Sequence, residues 1–281
     1  MNRVTQLIDE AVALAQANQM AAAEAILDDL AAFTRDSGRQ ADVFRLIGSI
    51  RLLDGRTKGG IEALTRAVEL NPDDADARSN LCEGLRRNGQ VAAAVEQGRK
   101  AVALNPNSSR ACNNLGFALQ EGDELEESIR WLRQSHALEP DYENAIANLG
   151  LSYMRLGQID EAIRTYERGI AIHPENARLH TFLSECLLRR GDFERGWAEY
   201  EWRFRSGLME FPDLPFERWD GKSSDFDELI LVAEQGIGDV ILFMRYAGEL
   251  ARGVPRLSIA VSRNLVALVR STGLFLEVYS E

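Results

Sequence analysis

For most of its length the chain keeps a helical beat of apolar and polar positions. In Ala145–Gly157, apolar or small residues recur at Ile146, Leu149, Gly150, Tyr153 and Met154. Spacings of three and four place them on one buried helix face. Gly157-Gln158 breaks this helix, and Asp160-Glu161 open a second one, with carboxylates at its positive amino end. Ile163, Tyr166 and Ile170 line the apolar face of the second helix. Pro174 closes the unit, because proline cannot continue the i→i−4 ladder.

The same unit recurs along the chain. Pro72, Pro106, Pro140 and Pro174 are 34 residues apart, following Asn71, Asn105, Glu139 and His173. The spacing predicts eight antiparallel helices over 41–176, in units 41–74, 75–108, 109–142 and 143–176. Breaks are expected near residues 55–59, 88–90, 121–123 and 157–158. A fifth unit, 177–206, keeps Leu183, Leu187, Gly191 and Tyr200 but lacks the closing proline. Residues 4–37 read as an atypical helix pair, broken at Asn18-Gln19, that caps the array. Gly116, Gly150 and Ala162 are small where paired helices must approach closely. No unit buries its apolar face alone, so neighbours are expected to stack.

These residues and the 34-residue period resemble the tetratricopeptide repeat (TPR) family, over about residues 4–206. The resemblance implies a mainly α fold, a right-handed α-α superhelix whose concave surface takes a protein or extended peptide.

A polar position also recurs. Asn80, Asn114 and Asn148 are each followed by leucine. Successive helical residues lie about 100° apart, so these asparagines sit beside the core stripe rather than in it. A carboxamide both donates and accepts, and so suits a peptide backbone whatever its side chains. The row resembles the asparagine ladder of the TPR superhelix in O-linked N-acetylglucosamine transferases. On that reading the three amides line the concave face, largely without intramolecular partners. On the residues alone, they equally suit local backbone capping or a solvated face. Leu46 and Phe182 occupy the flanking positions, so the ladder is short. Arg87, Arg155 and Arg189 recur at another position, interrupted by Glu121. They suit either acidic side chains of a ligand or a solvated charged face.

After Arg205 the pattern changes. Phe211-Pro212-Asp213-Leu214-Pro215 reads as extended linker within 207–227. Glu228–Ala233 is a short apolar β-type run, and Glu234-Gln235-Gly236-Ile237-Gly238-Asp239 turns it into an amphipathic helix over Val240–Arg252. Leu257–Val261, Arg263–Ser271 and Phe275–Tyr279 read as strand, helix and strand. The order β-α-β-α-β predicts a parallel sheet, a partial α/β Rossmann-like segment over 228–281. A glycine turn entering a helix aims backbone N–H groups at one spot, which marks Gly236 and Gly238 as candidates for an anion or acceptor site. Glycines also serve tight turns with no ligand, and one of the two is expected in a conformation that disfavours a side chain.

The stretch Gly196–Arg203, the triplet Trp219-Asp220-Gly221 and the run Glu234–Asp239 together resemble bacterial TPR proteins fused to a GT-B glycosyltransferase domain of the heptosyltransferase group, family nine. The resemblance implies that Asp239 lies at the acceptor site as a candidate catalytic base. It implies a nucleotide-sugar donor for a full-length relative, held by a second lobe for which 281 residues leave no room. No cofactor is expected in this chain, and no sugar transfer by it alone. A protein acceptor such as flagellin is the implied partner. The alternatives are a transferase completed by a separate donor lobe, and a structural assembly adaptor.

Composition narrows the partners. The net charge is −12 and the isoelectric point near 4.9, which argues against a general binder of nucleic acid or of anionic membrane. Cys82, Cys112 and Cys186 show no CxxC spacing and read as buried free thiols of a cytoplasmic protein. His136, His173 and His180 form no HExxH arrangement, so no metal site or nucleophile–histidine pair is expected. The amino terminus lacks a signal core, and no apolar run reaches membrane-spanning length.

Overall fold

In a computed structural model the chain divides into two compact units, Met1–Phe211 and Pro212–Glu281. The residues described are 3–34, 36–205, 217–219, 221, 226–233 and 236–280, without the side chain of Ser37. The proline-rich linker Phe211–Pro215, and Asp220, Glu234 and Gln235, lie outside them.

The first unit is a succession of helix pairs. They are α1 (Arg3–Gln16) with α2 (Met20–Phe33), α3 (Ser37–Leu53) with α4 (Thr57–Leu70), and α5 (Ala75–Arg87) with α6 (Val91–Leu104). Then come α7 (Ser109–Glu121) with α8 (Leu125–Leu138), α9 (Glu143–Arg155) with α10 (Ile159–Ile172), and α11 (Ala177–Arg190) with α12 (Phe193–Tyr200). The expected breaks fall where the backbone turns left-handed, at Gly55, Gly89, Asp123 and Gly157. The atypical pair turns at Asn18 in the same way. Side chains of Asp74, Ser108 and Asn176 accept hydrogen bonds from backbone N–H groups at the start of α5, α7 and α11.

Each helix packs on its sequence neighbours, and the buried clusters run from one pair to the next without a central core. The close approaches are visible at two glycines. A Cβ on Gly116 would lie 2.6 Å from Leu132, and one on Gly150 would lie 2.3 Å from the Tyr166 ring. Successive odd-numbered helices from α1 to α11 also touch one another. The odd helices therefore converge on the inner surface of a superhelix, and the even helices stand outside.

The last pair is closed by aromatic and polar contacts instead of a proline. His180 is buried, meets the Glu199 carboxylate through Nδ1 and the Pro174 carbonyl through Nε2 at 2.9 Å, and stacks on the Trp202 ring at 3.9 Å.

The second unit holds a small parallel sheet. Its strands are β1 (Leu229–Val232), β2 (Leu257–Val261) and β3 (Val278–Ser280), in spatial order β1-β2-β3. Leu229 is level with Leu257, and Ile259 with Val278. The single helix expected over Val240–Arg252 is instead two, α13 (Ile237–Phe243) and α14 (Ala247–Gly253), joined by a 3₁₀ turn at Met244–Tyr246. Val240 of α13 packs with Ile259 and Val261, while Ala247 of α14 packs with Leu229 and Leu257. The two helices thus pack toward opposite ends of the sheet, and the 3₁₀ turn lies between them. The next connection is a 3₁₀ turn, Arg263–Leu265, and α15 (Val266–Ser271).

Candidate functional site

The inner helices α3, α5, α7, α9 and α11 enclose a groove of about 460 Å³. Asn80, Asn114, Asn148 and Arg87 line it, as do Glu83, Arg86, Arg110, Asn113, Phe117, Tyr142, Asn144 and Arg178. Thus the three asparagines are brought together with one member of the arginine series.

The amides are not free of intramolecular partners, which corrects the sequence expectation. Asn80 Nδ2 donates to Ser49 Oγ at 2.9 Å. Asn114 Nδ2 donates to the Ser79 carbonyl and to Ser79 Oγ, each at 3.1 Å. Asn148 Nδ2 donates to Asn113 Oδ1 at 2.9 Å, and Asn113 Nδ2 donates in turn to Asn114 Oδ1 at 3.3 Å. The result is a relay, Asn148 to Asn113 to Asn114 to Ser79, that ties α9 to α7 and α7 to α5. The reason is proximity. Position six of α7 and of α9 faces position five of the preceding inner helix, where Ser79 and Asn113 offer acceptors, while Asn80 reaches Ser49 further along α3. Asn114 and Asn148 are 8% and 2% exposed, so most of their hydrogen-bonding capacity is spent on the fold. The Oδ1 atoms of Asn80 and Asn148 accept no hydrogen bond among the described residues.

The arginine series is likewise partly structural. Arg87 Nη1 donates to the Leu52 carbonyl at 2.8 Å, and Arg155 Nη1 donates to the Gln120 carbonyl at 2.5 Å. Each adds a side-chain donor to a carbonyl at the end of the preceding inner helix that a backbone N–H already reaches, Gly55 to Leu52 at 3.3 Å and Asp123 to Gln120 at 3.2 Å. Arg155 also pairs with Asp123 at 3.2 Å, and Arg189 with Glu185 at 2.7 Å. Arg155 and Arg189 are not among the groove-lining residues.

The charge that faces the groove comes mostly from elsewhere. Glu83 is held by Arg86 at 2.9 Å and Arg87 at 2.6 Å. Burial alone would raise its pKa, but hydrogen bonds and charge from Arg86 and Arg87 outweigh it and hold the carboxyl below the usual range. Arg86 also pairs with Glu121 at 2.5 Å and lies 3.9 Å over the Phe117 ring. Among the described residues Arg110 makes no hydrogen bond or ion pair, and Arg178 donates to Asn144 Oδ1 at 3.5 Å and lies 5.3 Å over the Phe182 ring. Burial raises the Tyr142 pKa, leaving its phenol a neutral group at the groove wall. Four arginines against one carboxylate make this groove cationic on a chain of net charge −12.

Arg110 and Arg178 were missed in the sequence, although the repeat contains the signal. With Asp76 and Asn144 they form another series at intervals of 34, at the second residue of α5, α7, α9 and α11.

In the second unit Asp239 is exposed in the first turn of α13, beyond the carboxyl end of β1. It borders an apolar cleft of about 250 Å³ with Leu231, Val232, Ala233 and Phe243. Neither glycine of the turn needs to be glycine. Gly236 has φ −61°, Gly238 is helical, and a Cβ on Gly238 would meet nothing within 4 Å. The expectation of a glycine-only conformation there is wrong, because the turn is made by an ordinary extended residue entering a helix.

The thiols of Cys82, Cys112 and Cys186 are buried, and burial pushes their pKa values up to about 12, 11 and 12. No group of three or more potential metal ligands occurs among the described residues.

Comparison with known proteins bears on the first unit. Residues 46–109 and 147–201 match the family model for the tetratricopeptide repeat. The chain therefore contains tetratricopeptide repeats, arranged as a helical superhelix. Over 91 residues it is 33% identical to protein FlbA of Caulobacter vibrioides, a match covering 31% of this chain and 15% of FlbA. Among solved structures it resembles pilF of Pseudomonas aeruginosa, with a TM-score of 0.54 and 23% identity over 59% of this chain and 76% of that one. It resembles MamA from Desulfovibrio magneticus, with a TM-score of 0.52 and 20% identity over 60% and 95% of the two chains. It also resembles the APC/C hetero-tetramer Cut9–Hcn1, with a TM-score of 0.65 and 16% identity over 74% and 41%. These three likenesses are of fold. Among the described residues no helix is long and apolar enough to cross a membrane.

Proposed function

We propose that the first unit is a recruiting scaffold whose concave groove holds an acidic, extended segment of a protein partner. The observation that carries this reading is the unpaired guanidinium of Arg110. It and Arg178, two repeats apart, stand along a groove in which, among the described residues, Glu83 is the one lining carboxylate and is already committed to arginines. A carboxylate on the ligand would form charge-assisted hydrogen bonds there. Asn80 and Asn148 Oδ1 would accept backbone N–H groups of the same segment. The experiment is titration of acidic and charge-neutralised versions of one peptide, followed by fluorescence anisotropy, with the Arg110→Gln and Arg178→Gln variants. Weakening of the acidic peptide alone supports the reading. Equal affinity for both peptides refutes it.

A second reading concerns the carboxy-terminal unit. We propose that it is the amino-terminal part of a GT-B transferase lobe and that the scaffold delivers a protein acceptor, such as flagellin, to it in the cytoplasm. The parallel order of β1, β2 and β3, and the position of Asp239 beyond β1 at the start of α13, favour this. Asp239 would serve as base, Gly236 and Gly238 would leave the acceptor room, and a nucleotide-sugar would come from the donor lobe of a full-length relative. This chain alone is expected to transfer no sugar, since donor and acceptor must be held together. An assay with a panel of nucleotide-sugars tests it: turnover by the purified chain would refute the expected inactivity, and turnover unaffected by Asp239→Ala would remove Asp239 as base.

A further inference from the structure

On the opposite side of the helix pairs, α8, α9 and α10 enclose a second cavity of about 650 Å³ that shares no residue with the groove. The repeat itself supplies the comparison that gives this cavity meaning, because every position in it has a counterpart 34 residues earlier between α6, α7 and α8.

In the earlier position the space is filled. Trp131 packs there against the cluster of Val102, Leu115 and Leu119. Thr165 stands where Trp131 stands, His136 where Val102 stands, and Tyr153 where Leu119 stands. The loss of an indole opens the cavity, and two aliphatic positions become polar. His136 is the exception in its series, since Val68, Val102 and Ile170 hold that position elsewhere.

Charge changes in the same direction. In the earlier position Arg99 pairs with Glu124 at 3.5 Å and with Glu127 at 3.0 Å. Its counterpart Arg133 has neither partner. Gln158 replaces Glu124, and Glu161, the counterpart of Glu127, is held by Arg164. Arg168 replaces the neutral Gln134. Among the described residues neither Arg133 nor Arg168 makes a hydrogen bond or ion pair. Against this, Glu126 stands where Ala92 stands and borders the cavity with Glu161, so two carboxylates face the two arginines and Glu161 alone of them is tied to Arg164 among the described residues.

His136 completes the set. Its Nδ1 is buried with no hydrogen-bond partner. A proton there would be a buried donor without an acceptor, so the neutral ring carries its proton on Nε2 and offers it as a donor. Burial, with the charge of Arg168, lowers its pKa and keeps the ring neutral. The floor is apolar, made by Ile129, Leu149 and Leu156 beside the Tyr153 ring.

Two guanidiniums without partners among the described residues and an imidazole donor over an apolar floor suit an oxyanion placed away from Glu126, and the volume is that of a small-molecule site. We propose that this cavity binds a small organic oxyanion, a phosphate or carboxylate carried on an apolar body, held at its oxyanion by Arg133, Arg168 and His136. The inference is independent of what the concave groove binds.

The test uses the full chain and phenyl phosphate as probe, with inorganic phosphate and phenol as its separated halves. Calorimetry follows affinity, and NMR follows the His136 ring. Phenyl phosphate is expected to bind at least tenfold more tightly than either half and to shift the His136 resonances. Thr165→Trp refills the cavity with the residue of the preceding repeat, and Gln158→Glu returns a carboxylate to Arg133. Each is expected to weaken phenyl phosphate at least tenfold with the helical circular dichroism unchanged. Gln158→Glu alters only an exposed residue, so it decides the matter even if the tryptophan is not accommodated. Absence of binding, affinity no greater than that of inorganic phosphate, or affinity unchanged in Gln158→Glu would each overturn the proposal.

Discussion

Asn148 donates from Nδ2 to Asn113 Oδ1 at 2.9 Å, joining two inner helices across 35 residues of sequence. Both side chains are buried, and Asn113 passes the interaction on to Asn114. Removing Asn148 strands an acceptor in a place water does not reach easily. Asn148→Ala is therefore expected to cost about 1–3 kcal/mol. Asn80→Ala should cost less, because Asn80 and its partner Ser49 are only half-buried. Urea unfolding of the two variants checks the order.

Glycine substitutions separate the positions that need glycine from those that do not. Gly150→Ala places a Cβ 2.3 Å from the buried Tyr166 ring, and overpacking of this kind costs about 1–3 kcal/mol. Gly157→Ala meets nothing, but its φ of +79° disfavours a side chain, at a cost of ~1 kcal/mol. Gly238→Ala is expected to stabilise α13 slightly, by ~0.5 kcal/mol, since its backbone is helical and its surroundings open. Thermal melts of the three variants would show whether the loss at Gly150 is the largest.

Acid should weaken the α5 charge cluster. The folded-state pKa of Glu83 is depressed by Arg86 and Arg87 against the opposing effect of burial. A depressed folded value means that the contribution to stability is fully present above the ordinary glutamate pKa of about 4.3 and is lost as pH falls through the lower folded value. Wild type should therefore be more stable than Glu83→Gln at pH 7, with the difference shrinking below about pH 4. A difference that stays constant from pH 7 to pH 3 would show that the cluster does not act through this ionisation.

The helix pairs were legible because the proline period and the apolar beat are local signals, and local signals suffice where each element packs on its sequence neighbours. The groove was legible only in part. The recurrence of Asn80, Asn114 and Asn148 placed the three on one groove, but their partners Ser49, Ser79 and Asn113 lie on the preceding inner helix, and no single-helix pattern shows them. The contacts of the arginine series were hidden for the same reason: Arg87 and Arg155 reach carbonyls one repeat back. Arg110 and Arg178 were visible in principle, at their own 34-residue interval, but alternate with Asp76 and Asn144, so no run of one residue type marked them. In the second unit the alternation of strands and helices was plain, whereas no proline or glycine at Met244–Tyr246 marks the 3₁₀ turn between α13 and α14.

The cysteines offer a direct reading of native packing. With thiols raised to about 11 or 12 by burial, thiolate is scarce near neutrality and access is blocked. Alkylation at pH 8 should be slow in the folded protein and rapid in urea for all three. Rapid labelling of Cys186 without denaturant would show that the last helix pair opens readily.

The central claim is that the groove between α3 and α11 selects acidic segments through Arg110 and Arg178. The most direct measurement is the salt dependence of acidic-peptide affinity for wild type and for the double variant Arg110→Gln/Arg178→Gln. Wild-type affinity is expected to fall steeply as salt rises, and the double variant to bind at least tenfold more weakly at low salt, with a flatter dependence and unchanged helical content. Equal affinity and equal salt dependence in the two proteins would contradict the account.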